Sequence, residues 1–140
     1  MCLAVRYDSE GNLPKPIRAK RDIHVIKTLD VAEYVTPVRF FSAFRGVEYV
    51  LNQLVETDQL GITQSNQTHN GTEGKVSQGL HTFGSIAAYK KATANIPSSR
   101  MVPLHAVIPA GSLYLKGVFE GTQNCYVSTQ LMVTGRVEGY

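Results

Sequence analysis

The stretch QGLHTFGS, residues 78–85, places a glycine, an imidazole and an aromatic ring just ahead of a helix start. Near such a start His81 would meet backbone N–H groups that have no helical carbonyl partner, a setting that favours anions such as phosphate. Lys27 and Arg39 offer cations in two other segments, and Phe83, Tyr114 and Tyr126 offer ring faces. Gathered in one hollow, the cations would hold phosphate while the rings stack on a base. The candidate ligand-binding set is therefore His81, Lys27, Arg39, Phe83, Ser85, Tyr114 and Tyr126. Each member also has an ordinary alternative. His81 can hydrogen-bond locally and tighten its turn, and the aromatics can fill a core or a half-buried sheet.

Other chemistry finds less support. His24, His69, His81 and His105 are widely separated, without the paired spacing that a metal site requires. The two cysteines, Cys2 and Cys125, are too few for a disulfide scaffold or a cysteine-only zinc site. Neither GxxxxGK[ST] nor GxGxxG occurs, so no phosphate loop or dinucleotide fingerprint is expected. Glu33, Glu48, Glu56 and Glu120 have no mutual spacing that nominates an acid–base pair. Were Met1 removed, Cys2 could act as an N-terminal nucleophile; its simpler role is a small apolar residue opening the first strand. No catalytic residue, metal or cofactor is assigned.

The elements that must position these groups are mostly strands. CLAVRY (2–7) and DIHVIKTL (22–29) read as strands, the second rich in β-branched residues. Pro14 and Pro16 keep LPKPIRAKR extended or irregular, and its four cations suit a solvated loop. Residues 36–56 fit either an amphipathic helix or a hairpin turning at Arg45 and Gly46, with the hairpin preferred. Residues 57–78 are dominated by Gln, Asn, Thr, Ser and Gly and read as a long polar loop. Its NQT and NGT triplets read as ordinary loop polarity rather than glycosylation sites. Ser85 can cap a helix rich in alanine and lysine, residues 85–95, closed by Pro97. MVPLHAVI, LYLKGVF and CYVSTQLMV read as late strands. A type I turn with Pro109 second and Gly111 fourth separates the first two.

The 140 residues predict a single domain, 1–140, large enough to bury a core unaided. A net charge of +3 and a pI near 8.9 fall short of the footprint of a dedicated nucleic-acid binder. No apolar run approaches the ~20 residues that cross a bilayer, and no signal peptide is visible. The fold expected is α+β: a bent, mainly antiparallel sheet of five to seven strands with one principal helix.

Several segments together carry a resemblance. A Met-Cys-Leu start, DIHVIK, TPVRF, GLHTF ahead of an alanine-bearing helix, VIPAGSLYLKG and CYVSTQL recur in this order. The chain thereby resembles a group of small, uncharacterised bacteriophage and prophage proteins, with Leu80 standing where an aromatic is usual. Residues 45–78 contribute little to the likeness. What the resemblance implies is a phage setting and a compact fold, not a reaction. The leading expectation is a non-catalytic phage accessory protein that binds a small anionic, nucleotide-like ligand or a host protein in the host cytoplasm, with countering host defence as its use. The alternatives are a virion structural or decoration protein, and a transferase or hydrolase that uses His81 in an ADP-ribosyl-transfer-like shape. The late YVSTQ offers no acid for the last of these. A homo-oligomer stays open.

Overall fold

The computed structural model describes residues 3–6, 14–33, 36–42, 47–58, 60–64, 73–94, 101–119 and 121–140. In chain order the strands begin with Leu3–Arg6 (β1), Ile17–Arg18 (β2), Ile23–Ala32 (β3), Arg39–Phe41 (β4) and Glu48–Tyr49 (β5). Leu54–Glu56 (β6), Gly61–Gln64 (β7), Glu73–Gln78 (β8) and Leu80–Phe83 (β9) precede a helix, Ile86–Thr93 (α1). Met101–Ile108 (β10), Leu113–Phe119 (β11), Thr122–Ser128 (β12) and Gln130–Arg136 (β13) complete the fold.

The expected α+β class is corrected. Among the described residues strands far outweigh the single short helix, so the fold is largely β and mostly antiparallel. Residues 57–78, expected as a loop, contain β7 and β8, which pair with each other, and β8 also pairs with β1. Backbone ladders organise this segment; in β8 the fully buried Val76 supplies the apolar anchor that the polar composition conceals. CYVSTQLMV, expected as one strand, belongs to two, because the chain breaks its ladder at Thr129.

Within residues 36–56, β4 and β5 pair as the hairpin expected, Phe40 with Tyr49 and Phe41 with Glu48, whereas β6 pairs with β13. The Arg45–Gly46 turn, Cys2, Pro97 and the NQT and NGT triplets lie outside the described residues. The turn after β10 is displaced by one position from the expected one. Ser112 N–H donates to Pro109 O at 3.1 Å, so Gly111, at φ +90°, takes the third position, where a positive φ suits a type II turn.

Two interruptions give the sheet its shape. The hydrogen-bonded order is β6-β13-β10-β3-β9-β12-β11-β1-β8-β7. Gly79 alone separates β8 from β9, so the path from β9 through β12, β11 and β1 returns to the same run of chain. Thr129 alone separates β12 from β13, so the path from β13 through β10, β3 and β9 returns to β12. Two closed rings of strands thus share the β9·β12 pair as a wall. Gly79 has φ +139°, and a Cβ there would lie 2.4 Å from Val127 Cγ2, so the kink requires glycine.

Each ring has its own buried cluster. One gathers Val5, Val76, Phe83, Leu115, Phe119, Cys125 and Val127, with Ala88 and Tyr89 of α1 packed in. The other gathers Val25, Leu29, Leu104, Ala106, Ile108, Leu131 and Val133, with Phe40 and Tyr49 from the hairpin. Strand alternation divides the wall between them. Phe83, Cys125 and Val127 join the first cluster, whereas Leu80 and Tyr126 pack against the second. Among the described residues, no helix is long and apolar enough to cross a membrane.

Candidate functional site

Strand β3 meets β9 at a single pair, Ile26 with Phe83, and beyond it the two strands part. Four of the seven expected ligand-binding residues, Lys27, His81, Phe83 and Tyr126, meet around a cavity beside this junction, together with Thr28, Thr82, Phe119 and Cys125. Its volume is about 30 Å³. One water needs roughly 10–15 Å³ on this measure, whereas pockets for drug-sized ligands span ~300–1,000 Å³. A nucleotide is therefore too large for it.

Within the cavity wall, the Lys27 ammonium donates to His81 O at 2.8 Å and stands 5.6 Å from the Tyr49 ring centroid. Lys27 is half-buried, and desolvation brings its pKa down to about 8. Burial acts oppositely on the Tyr49 phenol, pushed up to about 12, because the charged form is now the anion. The hydroxyls of Thr28 and Thr82 are buried with no hydrogen-bond partner. Cys125 is buried, and its thiol, pushed up by burial, donates to Thr122 O at 3.4 Å.

His81 does not stand at the helix start, because β9 carries it two residues before Phe83 and four before the Ser85 cap. Its Nδ1 lies 3.2 Å from Gly79 O and its Nε2 3.2 Å from Val76 O. A neutral imidazole carries one N–H and donates to only one of these carbonyls. Burial chiefly, with the Lys27 charge, holds its pKa below the ordinary value, against the pull of both carbonyls. His81 thus fastens the Gly79 kink rather than presenting a ring to a ligand.

The remaining candidates disperse. Arg39 makes a two-pronged ion pair with Glu48 across the hairpin, Nε–Oε1 2.9 Å and Nη2–Oε2 2.6 Å, and lies over the Phe41 ring. That contact holds the Glu48 carboxyl below its usual range. Tyr114 leans on Tyr126 at 5.9 Å between centroids and lines neither the cavity nor the groove at the start of α1. Phe83 is an interior ring, edge-on to Tyr89 and Phe119.

Ser85 behaves as its type and position predict: its Oγ accepts from Ala88 N at 3.1 Å and caps α1. It also borders a second, open groove of about 400 Å³, lined with His24, Ile26, Gly84, His105 and Thr134 among others. The register pairs His24 with Val107 and Ile26 with His105, so both imidazoles project from one face of β3·β10. Val25, Leu104 and Ala106 on the opposite face belong to the second core. The histidines of this groove were not among the expected site residues. They are 81 positions apart, and only the pairing of β3 with β10 brings them together.

Comparison with protein-family models, with curated proteins and with solved structures finds no match to this chain.

Proposed function

We propose that the protein is a non-catalytic binder of a small phosphate-bearing, nucleotide-like ligand, seated in the groove at the start of α1. One observation carries this: His24 and His105 share a strand face beside the Ser85-capped helix start, in a groove of about 400 Å³. The volume suits a nucleotide-sized ligand. The two imidazoles supply donors toward one anion, and the positive end of α1, which starts just past Ser85, favours negative charge there. The function is that expected from sequence, with different residues: His24, His105 and Ser85 take the roles first given to Lys27, Arg39 and His81. A phage accessory protein acting in the host cell remains the proposed setting.

A thermal-shift screen of phosphate and nucleotides tests this. A ligand at a hundred times its Kd adds about 2.7 kcal/mol of stability. The His24→Ala/His105→Ala double variant is expected to lose the ligand-induced rise in Tm while keeping the melting temperature of the free protein. If no phosphate-bearing compound shifts the wild-type protein, the proposal fails.

A second observation favours a protein partner. Val38, Val47, Val50, Leu51 and Leu54, all within residues 38–54, are exposed. Single exposed apolar residues are commonplace, but several along one segment suit an interface. A host protein, a virion neighbour or a second copy of the chain would each use it. Sedimentation of the free protein separates self-association from the other two, and the protein's presence in stoichiometric amounts in purified particles identifies a virion component.

A further inference from the structure

We infer that the internal cavity between β3 and β9 is a site for one halide-sized monovalent anion, the counter-ion of the Lys27 ammonium. This site is separate from the groove and independent of the function proposed there.

Three observations converge. First, Lys27 is half-buried, and among the described residues no carboxylate lies within ion-pair distance of its ammonium. Buried charges are ordinarily paired, because removing an ion from water is costly unless an opposite charge replaces the hydration. Second, Lys27 has three N–H donors, of which His81 O takes one. The Tyr49 ring faces the ammonium but offers no full negative charge. Third, Thr28 and Thr82 line the same cavity and their hydroxyls are buried without partners, and Thr82, only 3% exposed, sits on the second-core face as Lys27 does. The Thr82 hydroxyl can rotate to donate, so the hollow holds a cation without a counter-charge beside an uncommitted O–H donor.

Size narrows the ligand. A space of about 30 Å³ admits a monatomic anion or a pair of waters and excludes sulfate, phosphate and carboxylate ligands with any substituent. Water would satisfy the hydroxyls but leave the ammonium without a counter-charge. A halide answers both needs at once, accepting from Lys27 and Thr82 together.

The test uses bromide, which is visible by anomalous scattering. Crystals of the wild-type protein grown in sodium bromide are expected to show an anomalous peak inside the cavity, within contact distance of Lys27 Nζ and Thr82 Oγ1. In solution, Tm is expected to rise saturably with chloride or bromide, relative to sodium sulfate at matched ionic strength. Lys27→Met should abolish that response and Thr82→Val should weaken it, whereas His24→Ala/His105→Ala should keep it. Water alone in the cavity of bromide-grown crystals would overturn the proposal, as would an undiminished halide response in Lys27→Met. Should Lys27→Met fail to fold, the bromide crystals of the wild-type protein decide the question alone.

Discussion

The cavity and the groove both draw on β3, yet they are built on opposite principles. Lys27 points toward the second core and ends at a hollow of about 30 Å³, where its charge has no counter-charge and two buried hydroxyls of the lining residues have no hydrogen-bond partner. His24, three residues earlier, faces the other way, into an open groove of about 400 Å³. Alternation along a single strand is enough to separate them. The lesson is that polar residue types alone do not distinguish a ligand site from an internal electrostatic device. What distinguishes them is the size of the space each side chain enters and how open that space is.

The sharpest way to break this contrast is to disturb the cavity through its backbone. Gly79→Ala places a Cβ 2.4 Å from Val127 Cγ2 and 2.8 Å from Leu60 Cδ2, at φ +139°. Strain and overpacking together are expected to cost about 3 kcal/mol or more, read as a lowered urea midpoint. The kink positions His81, whose carbonyl holds Lys27, so the cavity should suffer before the groove does. A loss below about 0.5 kcal/mol, typical of an indifferent surface change, would show that the chain turns there without glycine.

The pH dependence sharpens the electrostatic half. Lys27 titrates near 8 in the folded protein and near 10.5 when unfolded. Between those values the unfolded chain binds more protons, so stability rises with pH. The full gain is at most about 3 kcal/mol. Tyr49 acts in the opposite sense: its folded value near 12 exceeds its ordinary 10, so its contribution is present below pH 10 and fades toward pH 12. Urea midpoints in halide-free buffer should therefore climb from pH 8 to 10, and Lys27→Met should flatten the climb. An equally steep climb in that variant would assign it to another group.

A smaller effect tests the groove. Ser85→Ala removes the cap from Ala88 N and is expected to cost about 1 kcal/mol of stability while weakening ligand-induced stabilisation. Arg39→Ala serves as the matched control. Its guanidinium pairs with Glu48 away from both hollows, so ligand and halide responses should both persist. Loss of either response would connect the hairpin to that site.

Much of the scaffold was readable locally. β3 and β10 declare themselves by β-branched and apolar alternation, and α1 by its serine cap and alanine-rich turns. The fold class was not, because two of its determinants are single residues. Gly79 and Thr129 each split a continuous run into two strands, with partners in different rings. The polar stretch 57–78 hid β7 and β8 because their ladders rest on backbone pairing, which composition does not report. At the site, residue types predicted an anion-attracting cation, and Lys27 with His81 did come together. The pairing of His24 with His105 was invisible, because it exists only in the register of β3 against β10. Thr28 and Thr82 carried no signal at all, since an uncommitted hydroxyl becomes notable only once its surroundings are closed.

The common wall formed by β9 and β12 has a consequence for how the molecule comes apart. Neither hydrophobic nucleus can be peeled open while the other stays intact, because both lean on the same two strands. Amides within 80–83 and 125–128 should exchange with solvent only through complete unfolding, making this seam the slowest-exchanging part of the chain. Damage on either side would then propagate as a single cooperative loss rather than as a local one.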